Sequence, residues 1–95
     1  MLDDMKIHLR VTSDVYDIEV EDLIAAARAD MKRVGIIADK VESDDDPLVK
    51  MAIASYVKAR FGFDNSDMDA FNTTYRRCVA DMLNSSDYNT AAMGD

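Results

Sequence analysis

Apolar residues recur with a helical period in four stretches of the chain. Leu2, Met5 and Leu9 stand at i, i+3 and i+7 and predict a helix over residues 2–10 that fades at Val11-Thr12 and the turn-prone Ser13-Asp14. Val20, Leu23, Ile24, Ala27, Met31 and Val34 share one face of a second helix over about Ile18–Val34, with Asp17 to cap it and Gly35 to close it. Its first turns carry Glu19, Glu21 and Asp22 and its last turn Lys32 and Arg33, which suits the helix dipole at both ends. Asp46-Pro47 reads as the cap and first position of a third helix that stops at Gly62. After a short connection over residues 62–65, Ser66 with Asp69 opens a fourth. There Met68, Phe71, Tyr75, Val79 and Met82 keep spacings of three and four to about Leu83. Val11–Val15 and Val34–Ile37 are the only candidates for extended chain, and both are short.

These spans predict an all-α fold, a small bundle of about four helices formed by residues 1–83. Residues 84–95 are polar and small and predict a flexible C-terminal tail. The third helix is the exception among amphipathic elements. Leu48, Val49, Met51, Ala52, Ile53, Ala54, Tyr56, Val57, Ala59 and Phe61 leave it scarcely any polar face. A helix of this kind must be covered on several sides, either at the centre of the domain or by a neighbouring subunit. Val49, Ile53, Tyr56, Val57 and Phe61 are the candidates for this shared core and interface role.

With 95 residues the chain forms one domain with a thin core, so association with other subunits is a natural source of further stability. Eleven Lys and Arg against 19 Asp and Glu leave a net charge of −8, which repels nucleic acid and anionic membranes alike. The acids concentrate at Asp39, Glu42, Asp44, Asp45 and Asp46, predicting a solvated loop. That loop lacks the alternating ligands, central Gly and terminal Glu of a calcium-binding loop. No apolar run is long enough to span a bilayer, and Asp3 and Asp4 stand where an export signal would carry cations. A single Cys78 excludes an internal disulfide, and His8 is the only His. Neither has the companions that nucleophilic or acid–base catalysis needs, and most of the seven Met fall at core spacings. Arg28, Lys32 and Arg33, or Arg76 and Arg77, are expected in ion pairs with the surplus carboxylates. No catalytic residue, cofactor or metal site is expected.

The succession Met5-Lys6-Ile7-His8-Leu9-Arg10-Val11, Asp22-Leu23-Ile24-Ala25-Ala26-Ala27-Arg28 and Pro47-Leu48-Val49-Lys50-Met51-Ala52-Ile53, followed by an aromatic-bearing helix, resembles the small head–tail connector (adaptor, or head-completion) proteins of long-tailed bacteriophages and prophages. The likeness spans about residues 1–83. It implies a non-enzymatic, all-helical virion protein that forms a homo-oligomeric ring of about twelve copies at the portal vertex. Such a ring joins head to tail at the virion neck after assembly in the host cytoplasm, and extends the DNA channel. Its partners would be further copies of itself, the portal protein and a stopper or tail-completion protein, with DNA passing through without sequence-specific binding. By the same analogy residues 84–95, with Tyr88 and Met93 as their bulky anchors, form a portal-docking arm. An acidic wall would repel passing phosphates, so Asp39, Glu42, Asp44, Asp45 and Asp46 are candidates to face the channel. Two other readings compete. One is a small acidic protein-binding adaptor or regulator, monomeric or dimeric; the other, a metal-dependent enzyme, lacks a companion His or a glycine-rich loop.

Overall fold

A computed structural model describes residues 1–61 and 66–89. Among these residues five α-helices follow one another: α1 (Leu2–Leu9), α2 (Asp17–Val34), α3 (Ala38–Val41), α4 (Pro47–Arg60) and α5 (Met68–Leu83), with a single 3-10 turn at Asp14–Tyr16 before α2. Among the described residues the only β-type pairing is an isolated antiparallel bridge between Ile36 and Asn89. The expected stop at Gly62, the connection that follows it and Met93 lie outside the described residues.

Local signals set some of the boundaries, although Asp17, the expected cap of α2, is instead its first residue, and Tyr16 before it makes no side-chain cap. Asp46 accepts hydrogen bonds from the N–H groups of Leu48 and Val49, both at 3.0 Å, and Pro47 supplies a first residue with no N–H to satisfy. Gly35 takes a left-handed conformation (φ 115°) and ends α2. Its N–H and that of Ile36 donate to the carbonyls of Lys32 and Met31, at 3.1 and 3.0 Å. Arg10 does the same for α1 at φ 59°, ending it one residue before the predicted limit. The expected Ser66 cap does not form: α5 begins at Met68 after Asp67, with no side-chain cap.

Helix α4 is the hub. It packs against α5 along most of its length, and against α2 and α1 on other sides. Val49, Ala52, Ile53 and Val57 are fully buried against Met5 of α1, Val20, Ile24, Ala27 and Met31 of α2, and Tyr75, Cys78 and Met82 of α5. Small residues at Ala52, Ala54, Ser55 and Ala59 are buried too, and let several helices approach one axis closely. Of the two ways to shelter its apolar surface, α4 therefore uses the first, enclosure within its own chain. Only Met51 and Arg60 on this helix are widely exposed besides Pro47 at its start.

Two segments depart from the sequence expectation. The acidic stretch 39–46 is not simply a solvated loop: Val41 sinks into the core, as Ile36 does just before it, and Ala38–Val41 coil into α3. These two apolar anchors outweigh the surrounding acids, which stay at the surface. Nor does the chain leave the body at Asn84, where its polar composition predicts a free tail. The N–H of Ile37 donates to the carbonyl of Tyr88 at 2.7 Å, and the Asn89 side chain donates to the carbonyl of Leu83. The Tyr88 hydroxyl reaches both carboxylate oxygens of Asp46, at 3.1 and 2.9 Å. Residues 85–89 thus form a strap that ties the end of α5 to the start of α4.

Candidate assembly surface

The residues expected to combine core and interface roles separate by depth. Val49, Ile53 and Val57 are fully buried and meet no solvent. Tyr56 and Phe61 are half-buried at the end of α4: Tyr56 meets the Tyr75 ring edge-on at 5.1 Å and carries the Arg60 guanidinium 3.6 Å above its face. Phe61 meets Tyr16 edge-on at 5.4 Å. Tyr56 and Phe61 alone of the five keep contact with the surface.

The acidic cluster is more engaged than its composition suggests. Glu42 pairs with Lys32, and Asp44 with the Arg28 guanidinium at 2.7 Å and with the N-terminal ammonium at 3.7 Å. The Lys32 hydrogen bond holds the Glu42 carboxyl below its ordinary pKa, and the Arg28 hydrogen bond, seconded by the ammonium, does the same for Asp44. Ser43 accepts from the N–H groups of Asp45 and Asp46, so the loop is an ordered turn. Asp46 belongs to the α4 cap and the Tyr88 clamp. Asp39 and Asp45 remain exposed at the surface. An open groove of about 800 Å³ runs beside these ion pairs, lined by Leu2, Ile24 and Ala25 together with Arg28, Lys32 and Glu42.

Cys78 is buried, and burial pushes its thiol up, away from the thiolate that nucleophilic chemistry needs. His8 is exposed on α1. Among the described residues no group of three or more His, Cys, Asp or Glu is placed to hold a metal ion, and no helix is long and apolar enough to cross a membrane. Tyr88 serves the strap described above, with its ring under the Lys40 ammonium at 5.1 Å.

The outstanding surface feature is one that the periodicity reading passes over. Val15 is 82% exposed, Ile18 76% and Ile7 74%, with Tyr16 beside them, all at the corner where α1 runs into α2. Lys6 holds that corner together through Asp17 at 2.8 Å and Asp14 at 3.4 Å, and these carboxylates raise its pKa. Ile18 and Asp22 stand one turn apart on the side of α2 opposite Val20, Ile24 and Ala27, and Val15 precedes Ile18 by three residues in the 3-10 turn. That spacing was available in the sequence, but the stronger buried stripe on the same helix conceals it. Exposed β-branched side chains grouped in this way mark a contact surface more than a solvated one.

Fold and surface together define a small all-α protein whose distinctive chemistry lies on its outside, in an apolar corner set among acids. Residues 1–89 match the profile of the family described as phage connector protein, and the chain belongs to that family. It is thus a structural phage protein of the head–tail junction, in a family not known for enzymatic activity, and membership implies contacts with other head or tail proteins. No curated protein and no solved structure matches the chain.

Proposed function

We propose that the protein forms a ring at the portal vertex, joins the phage head to the tail and lengthens the DNA channel through the neck. The observation that carries this reading is the family match over residues 1–89, nearly the full chain. The exposed corner of Ile7, Val15, Tyr16 and Ile18 supports it, because a closed ring needs a contact patch that a lone subunit leaves open. In this reading the ring contains about twelve copies, sits between the portal and a stopper or tail-completion protein, and passes DNA without gripping it. Asp39 and Asp45 are the acids best suited to a channel wall, since Glu42, Asp44 and Asp46 have structural partners. Residues beyond the strap, Met93 among them, supply a portal-docking arm.

A reconstruction of the virion neck tests the reading. It is expected to show a ring of this chain directly below the portal, with Asp39 and Asp45 turned to the channel. A neck without the chain would overturn the function, and a ring with both acids turned outward would overturn the channel assignment alone.

A further inference from the structure

From the placement of charge on the surface we infer that neighbouring copies meet head to tail, the apolar corner of one on the outward face of α5 of the next. The inference rests on the ring reading above and names the two surfaces that would close it.

A subunit of net charge −8 repels its own copies, so assembly requires surfaces on which that repulsion is relieved. The charges are in fact partitioned along the chain. Residues 1–46 hold six cations against thirteen acids, whereas residues 47–83 hold five against four. The acidic half carries the apolar corner: Glu19 and Asp22 are exposed beside Ile18. The other half carries a group of cations held by uncharged partners. Arg60 donates to the Asn72 side-chain oxygen at 3.1 Å, and Arg76 donates to the Asn72 backbone carbonyl at 3.4 Å. Arg77 is exposed one residue further along α5. Guanidinium groups bound to amide oxygens retain the capacity for carboxylates that Arg28 and Arg33 have already used.

The same face of α5 is also suited to receive Val15 and Ile18. Thr73 and Thr74 donate their hydroxyls to the carbonyls of Asp69 and Ala70, at 2.9 and 3.1 Å, on their own helix. What these two exposed residues offer to a neighbour is therefore mainly methyl surface, between Ala70 and Ala80, which are exposed as well, as are Asp69 and Asp81 on the same face. Bulky apolar side chains flanked by acids on one copy thus find on the next a low, mostly methyl relief where Arg76 and Arg77 offset Asp69 and Asp81, so that the corner's acidic excess meets no acidic excess there. Because the two surfaces belong to different helices, each copy keeps one of each kind open, and the contact propagates until it closes on itself.

Two charge-reversed proteins test the pairing on purified portal protein: Glu19→Lys with Asp22→Lys, and Arg76→Glu with Arg77→Glu. Circular dichroism first establishes that both keep the helical content of the wild type. Each alone is expected to lose the assembled species seen with the wild type in sedimentation velocity, and an equimolar mixture to regain it, since reversed corner then meets reversed face. Assembly of either variant alone, or failure of the mixture, would overturn the pairing and leave the ring standing. A wild type that does not assemble on the portal would overturn both. As an independent measurement, a Cys78→Ser chain carrying Ile18→Cys and Thr74→Cys should give a ladder of disulfide-linked oligomers when assembled and oxidised. Monomers or dimers only would contradict the head-to-tail contact.

Discussion

Replacing Ile53 by Ala is expected to destabilise the folded chain by about 3 kcal/mol and to lower its thermal midpoint by roughly 15 °C. Ile53 is fully buried at the centre of α4, the helix that touches α1, α2 and α5 together, so the cavity left behind has walls on several elements that cannot all move in. The loss is a large fraction of the total stability of a domain this small. Below its midpoint the variant should match the wild type in the proposed binding to portal protein, because Ile53 presents nothing to a neighbour. Thermal unfolding followed by circular dichroism gives the first quantity and a binding titration the second. An Ile53→Ala protein of unchanged stability that no longer assembles would place this residue at the subunit contact instead.

Tyr75→Phe should cost about 1–2 kcal/mol, the range for a hydrogen bond to a partly solvated carboxylate. The Tyr75 hydroxyl donates to Asp30 Oδ2 at 2.7 Å and joins α5 to α2, two helices otherwise connected mainly through α4. Arg33 donates to the other oxygen of the same carboxylate at 2.8 Å. These bonds, that of Arg33 first and that of Tyr75 second, hold the Asp30 carboxyl below its ordinary pKa of 3.8. Burial foremost, with the Asp30 bond behind it, pushes the tyrosine up and keeps it a neutral donor. A carboxyl depressed in the folded state contributes stability that is complete above 3.8 and fades as pH falls through the lower folded value. The difference between wild type and Tyr75→Phe should accordingly be constant near neutrality and shrink below pH 3.8. Denaturant titrations across that range measure it; a difference that is absent at neutral pH, or that grows in acid, would show that the Tyr75–Asp30 bond does not stabilise the fold.

Local patterns explain how much of this was legible from sequence. Capping at Asp46-Pro47 and closure at Gly35 are properties of a few adjacent residues, and both occur where the sequence places them. Periodicity located the buried stripe of α2 and most of that of α5, because burial on one side imposes the repeat directly. It could not settle how α4 hides its apolar surface. That depends on how many helices surround it, and three do. Helix α3 escaped notice because Ile36 and Val41 are only two apolar residues beside a run of acids, too few to establish a period. The strap is harder still, since Tyr88 and Asp46 meet across 42 positions of sequence and neither residue signals the other. The apolar corner was legible in principle from Val15 and Ile18, yet an exposed stripe obeys the same helical spacing as a buried one. Which stripe faces solvent is decided only when the other helices are in place.

With α4 enclosed, the contact of the proposed ring falls to the corner. Val49, Ile53 and Val57 hold the subunit together, whereas Ile7, Val15 and Ile18 are the most exposed of its large apolar side chains among the described residues. Marginal contacts of this sort gain strength when many close at once on a common template, which in the proposed ring is the portal. The direct measurement is therefore the mass of the complex formed when the purified chain is mixed with purified portal protein, read by light scattering coupled to size exclusion. Many copies per portal assembly, on the order of a dozen, are the predicted result; a portal that takes up no chain, or only one or two copies, would contradict the account.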